Sequence, residues 1–485
     1  MRDWLRRSAQ LSGDLVALRS AGRVVRFGEL DGEVDRVVGH LSHAGVAKGE
    51  WVGVFGGTSI DLVLILLALA RLGAVAVPVN VRWSRLEVAR VVGEYGVVRW
   101  FVDGDIDGLG LGSLVFDYTK FTHEKNNTPG LPPTPVPLEY DTVACAVFTS
   151  GTSGTPKAVQ ITYGSLIHNA ALTALRLRVH HDDHWLCCLP LFHVGGLVML
   201  FRSIISGTSL SLHERFDVDA VNYAIDHDAI THVSLVPTML ARLLDARTSP
   251  PPRPVTVLLG GAAASTALIE RARRINLDVL STYGLTEATS QAATQTPGDP
   301  RIKVGSAGKS VPFVTVSVRS EDGAMRPAGE IGDIYVKGPT VMKGYANDPA
   351  ATESVLTPYG LRTGDLGYLD ADGDLWIVNR RTDLIISGGE NIYPAEVEAA
   401  LLQIPGIRAA CVVAVDDPVW GQSPAAAVVS DRTLSLDDVR AELNPILARY
   451  KHPKRLEYVD ALPLLANGKV DRKAVASRFE DGPDR

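Results

Sequence analysis

The sequence predicts an α/β protein of several domains, and three observations support this prediction. Its 485 residues are enough for about three domains of ordinary size. Hydrophobic residues make up 46% of the chain and charged residues 21%, which is typical of globular proteins. Helical and strand-like patterns alternate near the N-terminus, as in parallel sheets that are joined by crossover helices. No short repeat is present, so a solenoid is not expected.

The first elements follow from hydrophobic periodicity and from capping residues. Ser59 is a candidate N-cap for a helix, and Gly45 follows the end of an earlier helical pattern. The apolar run at 62–70 has nine residues, far fewer than the roughly 20 that span a bilayer, so it predicts a buried helix. We expect helices at 28–43, at 59–72 and from Ser84, and strands at 51–55 and 74–79.

The rest of the chain divides at changes of composition. Proline-rich breaks lie at 126–137 and 248–254, and residues 305–344 contain short β-rich runs between glycines. A new α/β segment of about 100 residues, a common domain size, begins near Thr382. In this segment we expect strands at 409–415 and 456–459 and a helix at 436–448.

Charge and cysteine content exclude several classes of protein. The formal net charge is −7, so there is no global electrostatic reason to bind nucleic acid or an anionic membrane. Any phosphate must therefore be bound by a local group of residues. The four cysteines show no CxxC spacing, and the N-terminus lacks a signal-peptide pattern, so we expect a reducing, cytoplasmic location.

A loop rich in glycine and hydroxyl groups follows the apolar strand at 143–148. Glycines let backbone N–H groups approach an anion, hydroxyls donate further hydrogen bonds, and a lysine adds positive charge. The loop therefore predicts a polyphosphate site. It is not a Walker motif, because the glycine spacing differs and no Ser or Thr follows the lysine; a flexible linker is the alternative. The candidate residues are Thr149, Ser150, Gly151, Thr152, Ser153, Gly154, Thr155 and Lys157.

This loop resembles the phosphate signature of the adenylate-forming superfamily, which includes acyl-CoA synthetases, adenylation domains and luciferases. The family usually has Gly where Ala158 stands. The resemblance extends from about Val25 to Lys473. It implies a large N-terminal domain, residues 1–381, with two α/β subdomains and a small β-rich subdomain. A small mobile α+β lid domain, residues 382–485, would follow. ATP, Mg²⁺ and CoA are the implied cofactors.

Three further segments resemble the nucleotide-binding motifs of that family. Residues 281–287 resemble its adenine and magnesium segment, 361–367 its ribose segment, and 379–383 the segment that ends at the hinge, although the family more often has Gly or Asp where Asn379 stands. Tyr283 offers a flat face for a purine, and Glu287 an oxygen ligand of the kind that Mg²⁺ prefers. The implied nucleotide-binding residues also include Gly261, Ser281, Thr282, Gly284, Thr286, Asp365 and Arg380, with Thr152 as a second metal candidate.

Residues 467–473 resemble the mobile catalytic-lysine motif of the family, and Lys469 matches its lysine. The resemblance implies that the lid rotates between adenylate formation and thioester formation. Lys157, Lys469 and Mg²⁺ would supply the positive potential that lets a carboxylate attack a phosphate. Thr286, Glu287 and His193 complete the catalytic candidates. The lid candidates for CoA binding are Gly388, Gly389, Glu390 and Trp420.

The acid site is expected around residues 189–196. Amino-acid adenylation domains carry an acidic residue at the comparable place, whereas this chain has His193 before an apolar helix at 197–205, which suits an acyl or aryl pocket. Two arginines are candidates for binding a second substrate carboxylate, with surface or helix-capping roles as the alternative. The acid-binding candidates are His193, Gly195, Gly260, Arg202 and Arg82.

Four segments, 192–197, 258–261, 304–309 and 383–394, are most similar to the o-succinylbenzoate–CoA ligases of menaquinone biosynthesis within this family. The resemblance therefore implies an ATP-dependent carboxylic acid ligase that acts through an acyl-adenylate, with 2-succinylbenzoate as the expected acid. The chain ends soon after Lys473 without a carrier module, so CoA is the expected thiol. The alternatives are a fatty-acyl or benzoate-type ligase, a luciferase-type oxidase and a non-catalytic adenylate-binding protein. No nucleic-acid partner or membrane span is expected, and a homodimer is compatible with the resemblance.

Three further patterns receive structural interpretations. The histidine-rich turn at 180–184 resembles a metal cluster, but neighbouring histidines in a turn rarely converge on one ion, so no metal is expected. Cys187 and Cys188 lie in an apolar strand and are predicted to be packing residues. The basic run at 451–455 is predicted to be a solvated surface, with contacts to CoA phosphates as the alternative.

Overall fold

The computed structural model describes residues 3–103, 111, 114–123, 139–150, 156–247, 249–261, 264, 266–379, 385–463 and 470–479. These residues form a mixed α/β structure with four β-sheets. The predicted proline-rich connection at 126–137 lies outside the described residues.

The helices follow the predicted positions closely. Ser59 caps the second of the predicted N-terminal helices, since its side chain accepts a hydrogen bond from the backbone of Leu62. The helices are α1 (Trp4–Ser12), α2 (Phe27–His43), α3 (Ile60–Leu72), α4 (Arg85–Tyr95), α5 (Tyr118–His123), α6 (Tyr163–Leu177), α7 (Val194–Ser206), α8 (Val218–His227), α9 (Pro237–Ala246), α10 (Thr266–Arg273), α11 (Pro349–Val355), α12 (Pro394–Leu401), α13 (Leu436–Leu443) and α14 (Arg472–Ser477), with 3₁₀ turns at Thr286–Ala288 and Arg449–Lys451.

The strands range from two residues in β15 to eleven in β24. They are β1 (Val16–Ser20), β2 (Arg23–Arg26), β3 (Trp51–Phe55), β4 (Val75–Pro78), β5 (Arg99–Val102), β6 (Leu114–Asp117), β7 (Val143–Ser150), β8 (Pro156–Thr162), β9 (His184–Cys187), β10 (Ser209–Leu212), β11 (His232–Leu235), β12 (Val255–Leu259), β13 (Leu277–Leu285), β14 (Ser290–Thr294), β15 (Lys309–Ser310), β16 (Thr315–Arg319), β17 (Gly332–Lys337), β18 (Gly344–Tyr345), β19 (Leu356–Thr357), β20 (Gly360–Leu369), β21 (Leu375–Asn379), β22 (Ile385–Ser387), β23 (Glu390–Ile392), β24 (Ile407–Asp417), β25 (Gly421–Ser430) and β26 (Arg455–Tyr458).

Two large sheets form the core of the N-terminal domain. One has the order β18-β8-β7-β4-β3-β5-β6 and the other β15-β14-β13-β12-β11-β9-β10-β1-β2. Their central strands pair in parallel, for example β3 with β4 and β12 with β13. Helix α3 is buried along nearly its whole length, because apolar residues surround its axis. Among the described residues, no helix is long and apolar enough to cross a membrane.

The two smaller sheets correspond to the predicted β-rich unit and to the lid. Strands β16, β17, β20 and β19 form an antiparallel sheet, with β21 added to β20. In the lid, β24 and β25 form a long antiparallel pair that β22, β23 and β26 extend. Helices α12 and α13 contribute apolar side chains to one lid core, whereas α14 packs against β24 in a second. This arrangement places the lid loops after β22 and β24 next to the large domain.

Three details differ from the sequence predictions or extend them. The predicted helix at 436–448 ends at Leu443, and the chain then turns through a short 3₁₀ helix. The prediction of a solvated basic run is wrong for Lys451 and His452, which are both buried. Lys451 is buried because two glutamates surround its ammonium group. Cys187 and Cys188 are buried packing residues, as predicted.

Candidate active site

A cavity of about 700 Å³ lies where the large domain meets the lid. Most of the predicted site residues line it, although they come from both domains and from eight separate segments. The predicted residues that line the cavity are Arg82, Thr149, His193, Gly195, Arg202, Gly260, Gly261, Thr282, Tyr283, Gly284, Thr286, Glu287, Asp365, Gly388, Gly389, Glu390 and Trp420.

The remaining candidates divide into two groups. Ser281 does not line the cavity, and its backbone N–H donates to Gln295 Oε1. Lys157 also lies outside the lining, at the start of the strand that follows the glycine-rich loop. The other candidates lie outside the described residues or have undescribed side chains: Ser150, Gly151, Thr152, Ser153, Gly154, Thr155, Arg380 and Lys469.

Tyr283 and Asp365 are hydrogen-bonded to each other. The Tyr283 hydroxyl donates to Asp365 Oδ2 at 2.6 Å, and both side chains are buried. Tyr283 lies on β13 of a large sheet and Asp365 on β20 of the β-rich unit. The motifs that were predicted for adenine and for ribose therefore meet through one hydrogen bond, which orients both side chains before any ligand is present.

Tyr345 connects the predicted metal ligand to the predicted phosphate-binding lysine. Its hydroxyl donates to Glu287 Oε1 at 2.9 Å, and Lys157 Nζ lies 5.0 Å from the centre of its ring. Pairing of β18 with β8 brings Tyr345 opposite Val159, two residues beyond Lys157. Sequence analysis missed Tyr345, because a single Tyr after a Gly has no pattern that links it to residues so far away in the chain.

The environment of Glu287 fits a magnesium ligand. Its side chain is buried, and its Oε1 atom is oriented by the Tyr345 hydroxyl. Mg²⁺ is commonly bound through one or two carboxylates together with substrate phosphates, rather than by a full cage of protein ligands. Glu287, next to the Thr286 hydroxyl on a cavity wall, has the chemistry for that arrangement.

Arg202 is a buried cation without a matching anion in the described part of the chain. It lies on α7, is 4% exposed and lines the cavity. Its Nε donates to Asn169 Oδ1 at 2.6 Å, whereas Nη2 is buried without a hydrogen bond to the described residues. Burial lowers the pKa of Arg202 to about 9. The expected alternative of a surface role is therefore wrong for this residue.

His193 lies at the N-terminus of α7 and contacts the lid. Its Nε2 is 2.9 Å from Glu390 Oε2, and a third of the side chain faces the cavity. Burial lowers the pKa of His193 to about 4, and the positive charge of Arg82 contributes to the lowering. The Glu390 carboxylate acts in the opposite direction. The imidazole is therefore neutral at pH 7, with Nε2–H oriented towards Glu390.

Arg82 is engaged by the lid. Its guanidinium forms an ion pair with Glu390 and lies 4.9 Å from the centre of the Tyr450 ring. Because Arg82 is already paired with Glu390, it is less available to a substrate anion than Arg202 is.

The lid contributes a narrow turn to the cavity. Gly388 and Gly389 have φ values of +56° and +88°, which favour glycine. A Cβ atom on Gly388 would come within 2.5 Å of the Trp420 ring, and one on Gly389 within 3.4 Å of Val236 in the large domain. Gly388 also donates its N–H to the Trp420 carbonyl at 2.8 Å. Glycine at both positions fits the left-handed backbone of the turn, and at Gly388 it also leaves room for the Trp420 ring.

Comparisons with known proteins agree with this geometry. Residues 5–346 match the family model described as AMP-binding enzyme, and residues 396–469 match the AMP-binding enzyme C-terminal domain. The chain is 36% identical over 484 residues to a 2-succinylbenzoate–CoA ligase of Bacillus cereus, with 99% of both chains covered.

The solved structures that the chain is similar to include several states of o-succinylbenzoate CoA synthetase from Bacillus subtilis, at 35% identity. A double mutant bound with its product analogue gives a TM-score of 0.93, with 99% of both chains covered. The complex with the acyl-adenylate intermediate gives 0.76, covering 100% of this chain and 99% of that one. The complex with ATP and magnesium ion gives 0.75, covering 98% and 99%.

These matches confirm the predicted fold class, a large N-terminal domain followed by a small C-terminal domain. The family match covers more than half of the chain, and the relative matches its full length. The chain belongs to the AMP-binding enzyme family, the adenylate-forming group that its glycine-rich loop resembles.

Proposed function

We propose that this chain is an ATP-dependent 2-succinylbenzoate–CoA ligase that works through an acyl-adenylate, a reaction of menaquinone biosynthesis. One observation carries the choice of substrate: the unmatched guanidinium of Arg202 lines the same cavity as Tyr283, Asp365 and Glu287. A dicarboxylic acid has one carboxylate to activate and one to be bound. The full-length similarity to ligases of this name supports the same substrate.

In the first half-reaction, a carboxylate must attack the α-phosphate of ATP against like charge. Enzymes lower such barriers mainly by positioning the reactants and by fixed positive potential. Lys157 and the mobile Lys469 supply that potential from the protein, and Thr286 donates to the α-phosphate. Glu287, oriented by Tyr345, would hold Mg²⁺, which neutralises phosphate charge when bound. Tyr283 and Asp365 bind the adenosine.

In the second half-reaction, the CoA thiol attacks the acyl-adenylate. The TM-score of 0.93 with the product-analogue complex, against 0.75 to 0.76 with the acyl-adenylate and ATP complexes, supports a lid orientation suited to this step. Residues 470–479, which follow Lys469, do not line the cavity, and Val470 and Val475 pack in a core of the lid itself. The described segment that follows the predicted catalytic lysine therefore lies away from the cavity in this orientation.

His193 and the lid glycines take part in this second step. Pantetheine passes along the cavity wall formed by Gly388, Gly389 and Trp420, where Gly388 packs directly against Trp420. Glu390 accepts a hydrogen bond from His193 Nε2, which leaves Nδ1 without a proton and able to accept one from the thiol. Because Glu390 belongs to the lid, this contact forms only when the lid turns towards the cavity.

Arg202 recognises the second carboxylate of the substrate. A charge-assisted pair with a carboxylate would satisfy Nη2 and reverse the lowering of its pKa. Arg82, which the lid engages through Glu390, orients the lid and is the weaker acid-binding candidate. Gly195 and Gly260 border the acyl group on the cavity wall.

The test measures pyrophosphate release with 2-succinylbenzoate, benzoate and a medium-chain fatty acid, each with and without CoA. We expect 2-succinylbenzoate to give the highest kcat/KM and to yield a thioester when CoA is present. A signal with benzoate or the fatty acid that equals or exceeds it would remove the narrow substrate while leaving the ligase class. No pyrophosphate release with any acid would favour the non-catalytic alternative.

We further propose that the boundary between the domains lies at residues 381 and 382, which are outside the described residues. The four cysteines are buried and no disulfide joins them, which supports a reducing compartment such as the cytoplasm. The homodimer stays a prediction.

A further inference from the structure

A buried cluster of three charges joins the large domain to the lid. It consists of Lys451, Glu87 and Glu396, and is called the buried triad below. Lys451 Nζ lies 2.5 Å from Glu87 Oε1 and 2.7 Å from Glu396 Oε1. The side chains are 1%, 1% and 2% exposed, so water cannot screen the interaction.

The three residues come from different sides of the domain interface. Glu396 lies on α12 and Lys451 in the 3₁₀ turn after α13, both in the lid. Glu87 lies on α4 of the large domain, where its other oxygen accepts from the Ser84 N–H. The Lys451–Glu396 pair is therefore internal to the lid, whereas the Lys451–Glu87 pair requires the lid to stand in this orientation.

Other contacts around the buried triad also connect the two domains. Asn80 donates to the Tyr450 hydroxyl at 3.3 Å, and the Ser84 hydroxyl donates to the Ile446 carbonyl at 3.0 Å. These neutral contacts fix the geometry. Breaking one partner of a buried ion pair is far more costly than replacing both partners, because a charge is left without compensation. The buried triad, like the Arg82–Glu390 ion pair, is thus a part of the interface that depends strongly on lid orientation.

None of the three residues is among the described residues that line the cavity. Any effect on the chemistry must therefore act through the placement of the lid. When the lid rotates for adenylate formation, Lys451 keeps Glu396 as its partner and Glu87 regains contact with water, so neither domain retains a stranded charge.

We propose that Lys451 is a positioning residue for thioester formation: its bond to Glu87 selects the lid orientation in which Gly388, Gly389 and Glu390 face the cavity. This inference rests on the proposed function, since it assigns the orientation to the CoA-dependent half-reaction. It adds a determinant of lid position that is separate from the substrate-binding groups.

The test compares the two half-reactions in Lys451→Met, Glu87→Gln and the double variant. Thioester formation is measured from supplied acyl-adenylate and CoA, and adenylate formation as pyrophosphate release without CoA. We expect Lys451→Met to lower thioester turnover at saturating CoA by at least about tenfold, with adenylate formation within about twofold of the unaltered protein. Glu94→Gln, on the exposed side of the same helix, is the matched control.

The double variant Glu87→Gln/Lys451→Met should be several-fold faster in thioester formation than Lys451→Met alone, because Glu87 no longer leaves a buried carboxylate unpaired. A double variant whose loss equals the product of the two single losses would overturn the inference. Equal loss of both half-reactions in Lys451→Met would overturn it as well.

A second test starts from Glu87→Lys, which leaves the lid's own Lys451–Glu396 ion pair intact, in case Lys451→Met prevents the lid from folding. Glu87→Lys places two ammonium groups against one carboxylate and should impair thioester formation at least about tenfold. Adding Lys451→Glu restores one cation and two anions and should recover most of the loss. Thioester formation in Glu87→Lys that equals that of the unaltered protein would contradict the inference.

Lid orientation is also measured directly, by fluorescence energy transfer between dyes on cysteines introduced at Lys48 and Glu442, which are exposed. The native cysteines are all buried. We expect Lys451→Met and Glu87→Lys to deplete the population that the product complex enriches; an unchanged population would contradict the inference. If the unaltered protein releases no pyrophosphate, the proposed function fails. The energy-transfer measurement then tests by itself whether the buried triad controls lid orientation.

Discussion

The nucleotide side and the acid side of the cavity differ in how their polar groups are satisfied. On the nucleotide side, Tyr283 bonds to Asp365 and Tyr345 to Glu287, so each carboxylate is already oriented by a protein donor. On the acid side, the Arg202 guanidinium is buried with one nitrogen lacking a hydrogen bond to the described residues.

This difference indicates which side is general and which is specific. Groups that orient one another hold a site for a ligand common to every reaction, here ATP, at little cost when it binds. A buried charge without a partner is costly until a complementary ligand arrives, so it discriminates strongly against acids that lack the second carboxylate. Substitutions at Arg202 and Tyr345 probe the acid side and the nucleotide side, and changes in the lid probe the domain that covers both.

The largest effect is expected from Lys469→Ala. Removing the mobile ammonium group should reduce adenylate formation by about 100-fold or more, because its charge offsets the repulsion between carboxylate and phosphate. Thioester formation from supplied acyl-adenylate should stay within about threefold, since residues 470–479 pack away from the cavity in this orientation. Rapid-quench assays of the two half-reactions check this; equal losses in both would refute the division of labour.

Arg202→Met should lower kcat/KM for 2-succinylbenzoate by about 30- to 100-fold, which is the typical loss of a buried charge-assisted pair. With benzoate, which lacks the second carboxylate, the same change should have little effect or raise the rate. Arg242→Met serves as the control, because Arg242 also lines the cavity but packs on Phe216. A uniform loss with both acids would mean that Arg202 supports the fold rather than substrate selection.

Tyr345→Phe should slow adenylate formation by about five- to tenfold and raise the Mg²⁺ concentration needed for half-maximal rate. The variant keeps the ring below Lys157 but removes the hydroxyl that orients Glu287. Thioester formation should be unaffected. Titration of pyrophosphate release with Mg²⁺ measures the effect, with Tyr368→Phe as the control; an unchanged Mg²⁺ requirement would show that Glu287 needs no orienting donor.

Sequence analysis located the segments of the site but not the contacts between them. Tyr283 and Asp365 were each found from a local motif, yet they bond across 82 positions of the chain. Tyr345 and Glu287 are 58 positions apart. Glu287 lies in a recognisable motif, whereas Tyr345 does not. Local patterns reveal which chemistry a segment can perform, whereas its hydrogen-bond partner depends on tertiary packing.

The wrong prediction for the basic run at 451–455 shows that a local pattern does not reveal ion-pair partners either. Lysine is rarely buried unless it is paired, so a solvated surface was the reasonable expectation. Its partner Glu87 lies 364 positions earlier and belongs to another domain. A single sequence carries no signal that connects two such residues, and the error follows from that separation.

The smallest effect is expected from pH. Burial raises the pKa of Glu396, and the negative charge of Glu87 adds to the rise while Lys451 opposes it. Glu396 therefore holds a proton more tightly with the lid in this orientation than when Glu87 has moved away. This orientation should be favoured below the ordinary carboxyl pKa of about 4.3 and lose that preference as pH rises through the raised pKa.

Other ionisable groups also face the buried triad, namely Tyr450, His452 and Arg82. Glu87→Gln leaves all three in place, so the difference between its pH profile and that of the unaltered protein isolates the carboxylate pair. Energy transfer between the dyes at positions 48 and 442 reports the fraction of molecules in this lid orientation. From pH 5 to 8, the ratio of the two lid populations should change by about two- to threefold in the unaltered protein. It should be nearly flat in Glu87→Gln. Parallel profiles would assign any pH dependence to the remaining groups, and the lid would then be held by geometry rather than by a shared proton.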